Sequence, residues 1–189
     1  INHFMMHVGD EHRTWFWERL FAIQGMWSKK LRAYEKRDYK RKLKARFPAE
    51  GVDLEQVLAP VLVGMPMKAY GEVLFDFYYE RSKAVSFDVV EEGLKSSAKA
   101  VRELSVKQCE SGVGEDDLKR LVTLVKKGKA AERLAAAQAL EHQSEALLAG
   151  VAGELTDIHA SEKSQAVLDV MDRVMRKVGS GGADVPPEE

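Results

Sequence analysis

The stretch EDDLKRLVTLVKKGKAAERLAAAQALEHQSEALLAGV, residues 115–151, carries the strongest secondary-structure signal in the chain. Its first third places four apolar side chains on one face of a helix over 115–127: Leu118, Leu121, Val122 and Val125. Gly128 separates this helix from a second one, which the abundance of alanine predicts over 130–151. This pattern favours an α-helical protein whose helices approach closely through small side chains.

A longer amphipathic helix is predicted on the N-terminal side, from about Asp10 to Arg46. Its apolar residues recur at steps of three and four along one face: Leu20, Ile23, Trp27, Leu31 and Tyr34. Acidic residues stand at the start of this segment and basic residues near its end, which is the order that the helix dipole favours. Pro48 and Gly51 then predict the end of the helix.

The central part of the chain gives shorter and less uniform signals. A short helix over 53–59 is followed by Pro60 and by a β-like segment, residues 61–63. The aromatic residues of 68–81 suit a buried helix or a strand, and we favour a helix. Asp88 as a cap, with Glu91 three residues later, predicts a helix that runs to about Cys109.

The C-terminal part predicts one more helix and a tail. Residues 153–159 are ambiguous between helix and a short strand, whereas Ser161 is a candidate cap for a last helix reaching Val178. The apolar face of that helix consists of Val167, Val170, Met171, Val174 and Val178. Glycine, proline and glutamate dominate residues 179–189, which we expect to be disordered.

Together these signals predict a mainly α fold, with a long basic N-terminal amphipathic helix and a bundle of about five helices. The alternative is an α+β fold with a small sheet after the helices. The predicted division is a helical arm over 1–51, a helical domain over 52–178 and a tail over 179–189.

Composition sets limits on the class of protein. The chain has 189 residues, of which 45% are hydrophobic and 31% charged, as in an ordinary folded domain. Its single cysteine allows no intrachain disulfide and fits a reducing compartment. The longest apolar run, 57–65, is broken by Pro60 and is far shorter than the roughly 20 residues of a transmembrane helix.

The net charge of −1 conceals a strongly basic segment over 29–46, in which ten basic residues face two acidic ones. Such a segment predicts contact with a polyanion, either RNA or anionic lipid. The candidate binding residues are Lys29, Lys30, Arg32, Lys36, Arg37, Lys40, Arg41, Lys42, Lys44 and Arg46. A second group of candidates would anchor the arm at a bilayer interface or in a protein groove, unless its members are simply core residues: Trp15, Phe16, Trp17, Phe21 and Trp27.

Catalytic signatures are missing from the sequence. It contains no phosphate-binding loop, no dinucleotide-binding glycine pattern and no hydrolase nucleophile elbow. His3 and His7 have helical spacing but lack the other residues of a metal motif, and we expect no metal and no cofactor. Cys109, His142 and His159 are interpreted as structural residues, so we predict that the protein is not an enzyme.

Residues 65 to about 134 resemble the helical half of the mitochondrial import-motor anchor family, which includes a mitochondrial large-ribosomal-subunit protein and a matrix-protease-interacting protein. The resemblance lies in the order of three segments: VGMP at 63–66 leading to FDFYY at 75–79, then FDVVEEGLKSSAKA at 87–100, then DLKRLVT at 117–123. It implies a non-enzymatic protein of the mitochondrial matrix near the inner membrane. In that family the domain ends in a curved antiparallel sheet, whereas the residues from Ala130 onwards here suit a helix.

The resulting hypothesis is an accessory or structural subunit of a mitochondrial multiprotein assembly, such as a respiratory-chain complex, the ATP synthase or the mitochondrial ribosome. Its basic arm would contact neighbouring subunits and anionic lipid or RNA. The alternative is a free-standing RNA-binding protein that uses residues 29–46, and a cytoplasmic location is the alternative to a mitochondrial one.

Overall fold

The computed structural model describes residues 33–46, 54–64, 71–82 and 84–180. Within these ranges the chain forms eleven α-helices and one 3-10 turn, and it forms no strand. The helices are α1 (Ala33–Arg46), α2 (Leu54–Val57), α3 (Ala59–Gly64), α4 (Gly71–Arg81), α5 (Phe87–Leu94), α6 (Lys99–Gln108), α7 (Glu115–Lys127), α8 (Ala130–Glu141), α9 (Glu145–Ala149), α10 (Ala152–Ser161) and α11 (Gln165–Ser180). The predicted mainly α fold is confirmed.

The β-like interpretation of residues 61–63 is wrong, and the segment 153–159, left open between helix and strand, is a helix. Residues 61–63 belong to α3, where Pro60 occupies the first turn and its missing N–H therefore leaves no hydrogen bond unmade. Residues 153–159 belong to α10, whose Leu155 and Ile158 are both buried at helical spacing. The small sheet of the α+β alternative is thus not found in the described part of the chain.

Two predicted helices are each divided in two, and serine side chains cap α5 and α9. The helix expected over 88–109 starts one residue earlier, because Ser86 rather than Asp88 is the N-cap and accepts a hydrogen bond from the backbone N–H of Asp88 at 3.3 Å. This helix ends at Leu94, and α6 begins only at Lys99. Similarly, Ser144 starts α9 and interrupts the helix predicted over 130–151. These breaks raise the helix count above the predicted one.

The C-terminal helix also differs from its predicted bounds. Ser161 is the last residue of α10 rather than the cap of the following helix, which begins at Gln165. That helix, α11, ends at Ser180, so the first two residues of the predicted tail are helical. Residues 181–189 lie outside the described part of the chain.

The chain divides into two compact units, residues 1–104 and 105–189, and the division falls within α6. The domain bounds predicted over 1–51, 52–178 and 179–189 stay a prediction. In the first unit α3 contacts α2, α4 and α5, and α1 contacts α4. The buried core there includes Leu58, Leu62, Leu74, Phe77 and Tyr78, each no more than 2% exposed.

In the second unit α8 is the central helix and contacts both α7 and α11. Four alanines of α8 are buried, which lets neighbouring helices approach on more than one side: Ala135, Ala136, Ala137 and Ala139. The predicted face of α11 packs here through Val167, Val170, Met171 and Val174, while Val178 is only half-buried. Long apolar helices that could cross a membrane are not found among the described helices.

Candidate polyanion-binding surface on helix α1

Helix α1 is held against α4 by a ladder of ion pairs between lysines and carboxylates. Lys36 Nζ lies 2.5 Å from a Glu72 carboxylate oxygen, and Lys44 Nζ lies 2.6 Å from one of Glu80. Between them, Lys40 Nζ contacts both Asp76 at 2.5 Å and Glu80 at 2.7 Å. We call these six residues the lysine ladder: Lys36, Lys40, Lys44, Glu72, Asp76 and Glu80.

The lysine ladder shows that α1 and α4 run in the same direction. Lysines and carboxylates both recur every fourth residue, and the pairs Lys36–Glu72, Lys40–Asp76 and Lys44–Glu80 each join residues 36 apart in sequence. Residues four apart lie on the same face of a helix, about one turn from each other. One row of cations therefore faces one row of anions along parallel helices.

Apolar packing holds the same side of α1. Leu43 is 5% exposed and belongs to the core cluster of the first unit, and Tyr39 packs against that cluster. On a helix, Leu43 and the lysines of the ladder fall on neighbouring parts of one face. Leu43, Tyr39 and the three lysines of the ladder thus lie on the side of α1 that faces the protein.

Contacts within the ladder shift the pKa of Lys40 and the pKa of Glu80. Hydrogen bonds from Lys40 and then Lys44 lower the pKa of Glu80 to about 2. Burial lowers the pKa of Lys40, but its hydrogen bonds to Asp76 and Glu80 outweigh burial and leave this pKa raised. Because the paired side chains are 28–42% exposed, water screens each pair, which contributes about 1 kcal/mol or less.

The side of α1 that faces solvent carries a tyrosine and two arginines instead of the ladder lysines. Tyr34 is 57% exposed, and Arg37 and Arg41 follow it at three and seven residues on the same face. Arg41 pairs with Asp38 at 2.6 Å, but its side chain remains 80% exposed. We call Tyr34, Arg37 and Arg41 the outer face. Of the five α1 cations whose side chains are described, the three in the ladder are lysines and the two outside it are arginines.

The other predicted binding residues are not located by the structure. Lys29, Lys30 and Arg32 lie outside the described residues, and the side chains of Lys42 and Arg46 are not among those described. The same holds for every predicted anchor: Trp15, Phe16, Trp17, Phe21 and Trp27. For all of these residues, binding stays a prediction.

Sequence reasoning overlooked the carboxylate row of α4. Glu72, Asp76 and Glu80 are four residues apart and match the spacing of the lysines on α1, which is a signal visible in the sequence. The consequence is that three of the ten predicted binding residues have carboxylate partners on α4, and a fourth, Arg41, pairs with Asp38 within α1.

The side chains considered for chemistry are Cys109, His142 and His159, and they lie in different surroundings. Burial, followed by the nearby Asp117, raises the pKa of the Cys109 thiol to about 12. His142 is exposed at the end of α8, and His159 Nε2 lies 2.6 Å from a carboxylate oxygen of Asp172. Within the described ranges, no three or more His, Cys, Asp or Glu residues are grouped to hold a metal ion, and His3, His7 and His12 lie outside them.

A polar cluster around Glu55 links three helices of the first unit. The Glu55 carboxylate accepts hydrogen bonds from the hydroxyls of Tyr78 and Ser82 and from the backbone N–H of Ser86. Burial and the Glu55 carboxylate raise the pKa of Tyr78 above its usual value. These contacts fix α2 and α4 to the start of α5, so we assign the cluster a structural role.

No family model, curated protein or solved structure matches this chain.

Proposed function

We propose that the protein is a non-enzymatic accessory or structural subunit of a mitochondrial multiprotein assembly, and that α1 contacts a polyanionic neighbour there. The observation that carries this proposal is the division of α1 into two sides. The lysine ladder and Leu43 fix one side to the protein, and the outer face presents Arg37, Arg41 and Tyr34 to the surroundings.

A fixed helix suits a structural contact. Side chains that are already positioned lose less conformational freedom on binding than those of a free segment. Arginine forms bidentate contacts with phosphate and stacks on planar rings, so an arginine pair beside an exposed tyrosine favours a phosphate-containing partner. The resemblance of residues 65–134 to the import-motor anchor family supports the mitochondrial location and the non-enzymatic role.

The local chemistry of the one cysteine supports the same role. Cys109 is 1% exposed and its thiol has a pKa of about 12, so it stays protonated at neutral pH. A nucleophilic cysteine needs a thiolate, so the protonated thiol of Cys109 does not suit a catalytic nucleophile.

Native purification of the tagged chain from its source tests the proposal. We expect it to migrate in sizing with a stable particle of several hundred kilodaltons or more, whose proteins mass spectrometry then identifies. Migration as the single chain would contradict the proposal. Arg37→Gln with Arg41→Gln should weaken this association, whereas Lys126→Gln with Lys127→Gln removes the same charge from exposed positions on α7 and should not.

The second candidate function is a free-standing RNA-binding protein, and the outer face of α1 is the observation that favours it. This candidate predicts that the purified chain alone binds RNA and that no protein particle accompanies it.

A further inference from the structure

We infer that the outer face of α1 binds single-stranded RNA, with Arg37 and Arg41 on phosphates and Tyr34 stacked on a base. This inference rests on the proposed function, since it names the polyanion that α1 meets. It also restricts the contact to three of the residues on a helix that is basic over most of its length.

The position of the apolar residues argues for RNA rather than a bilayer. A helix that lies in a membrane interface buries a broad apolar face among the lipids. The apolar side of α1 is already used, because Leu43 is 5% exposed within the core and Tyr39 packs on the same cluster. The outer face offers a single tyrosine to insert, whereas stacking on RNA needs only a single ring.

The kinds of cation on the two sides of α1 argue in the same direction. Lysine serves as a point charge in the ladder, where each ammonium group contacts one or two carboxylates. Both described cations on the outer face are arginines, which read phosphate geometry and stack on bases. Residues 37 and 41 are one helical turn apart, about 6 Å along the axis, so the two guanidinium groups can follow one strand.

The pair between Arg41 and Asp38 does not block this contact. An ion pair with an arginine side chain that is 80% exposed is worth about 1 kcal/mol or less. Arg41 contacts Asp38 through one guanidinium nitrogen and keeps most of its side chain in solvent, so a phosphate can approach the rest of the guanidinium. Tyr34 requires no rearrangement, because it is 57% exposed already.

Fluorescence anisotropy of the full chain with a labelled, unstructured RNA of about 15 nucleotides provides the test. Arg37→Gln with Arg41→Gln should weaken binding about 25-fold near 0.1 M salt and reduce the salt slope by about 1.4, since each phosphate contact on a single strand contributes about 0.7. The matched control, Lys126→Gln with Lys127→Gln, removes the same charge from α7 and should change little.

Two tyrosine variants separate stacking from charge. Tyr34→Ala should weaken binding about 5- to 150-fold with an unchanged salt slope, because stacking carries no counterion release. Tyr34→Phe keeps the ring and should bind like the parent chain. These surface substitutions leave the ladder and Leu43 in place, and circular dichroism checks that each variant is folded.

Three results would overturn the inference. The first is absence of RNA binding while the chain binds vesicles of phosphatidylcholine and phosphatidylserine, which would assign the surface to lipid. The second is equal loss in both double variants, which would mean net charge alone. The third is unchanged binding of Tyr34→Ala. None of these affects the co-purification experiment, which identifies a particle by its proteins, so failure of this inference is distinguishable from failure of the proposed function.

Discussion

The ammonium group of Lys40 lies 2.7 Å from a carboxylate oxygen of Glu80, a residue 40 positions later in the chain. Lys40 also contacts Asp76, and Glu80 also contacts Lys44, so the two residues connect successive steps of the lysine ladder. Each of these two side chains is held by one partner when it contacts the second. The network therefore loses less side-chain entropy per ion pair than isolated pairs do. The ladder therefore selects the parallel register in which all its charges are paired.

Charge exchange at the first step of the ladder tests this register. Lys36→Glu places a second carboxylate beside Glu72 and should destabilise the docking of α1 by about 1 kcal/mol, which lowers amide protection about fivefold. Adding Glu72→Lys restores opposite charges and should recover most of the loss. Hydrogen exchange of peptides from residues 33–46 measures both effects. Lys126→Glu on α7 is the control, and failure of the double exchange to recover protection would contradict the register.

The low pKa of Glu80 predicts a response to acid. Since the pKa falls to about 2 in the folded chain, from about 4.3 when unfolded, the ionised carboxylate stabilises the fold above pH 4.3. This contribution should be lost as the pH falls from about 4.3 to 2. The side chain is 41% exposed, so screening limits the contribution to about 1 kcal/mol or less.

Urea unfolding followed by circular dichroism between pH 5 and pH 2 measures the acid response of Glu80. Glu80→Gln cannot ionise and should show a smaller loss of stability over this range than the parent chain. Glu154→Gln removes an exposed carboxylate from α10 in the second unit and should keep the parent profile. Identical profiles for all three proteins would contradict the assignment to Glu80.

The sequence predicted the fold class and the position of α7 because those signals are local. Helix periodicity and charge order over 115–127 depend only on neighbouring residues, and α7 has the predicted bounds. The break at Ser144 was not predicted, since a serine cap competes with a continuous helix only when the tertiary structure allows it. The end of α5 at Leu94 was not predicted either. The lysine ladder joins residues 36 apart in the chain. The four-residue spacing of charges along each helix is visible in the sequence, but it does not indicate which distant helix that charged face contacts.

Gln143 illustrates a side chain whose role depends on distant backbone groups. It is fully buried in the second unit, where its Nε2 donates to the carbonyls of Ala139 and Cys109 and its Oε1 accepts from the N–H of Val113. Gln143→Met keeps the volume but leaves these groups without their partner. We expect a loss of about 1–3 kcal/mol in the free energy of unfolding.

Thermal and urea unfolding check the role of Gln143 against its neighbour. His142 is exposed, and His142→Ala should change the free energy of unfolding by about 0.5 kcal/mol or less. A loss for Gln143→Met no larger than that of His142→Ala would mean that the buried hydrogen bonds contribute little.

Two glycines of the second unit should respond oppositely to alanine. A Cβ at Gly128, which ends α7, would lie 2.6 Å from the backbone carbonyl oxygen of Leu124 and 3.2 Å from a methyl group of the same residue. The carbonyl cannot move without disturbing the end of α7, so Gly128→Ala should lower the free energy of unfolding by about 1–3 kcal/mol.

At Gly153, in the first turn of α10, a Cβ would meet nothing within 4 Å. Gly153→Ala should therefore raise stability by up to about 1 kcal/mol, because alanine restricts the unfolded chain and favours the helix. Urea unfolding of the two variants measures the difference, and a Gly128→Ala protein as stable as the parent would show that the α7–α8 turn relaxes around the added methyl group.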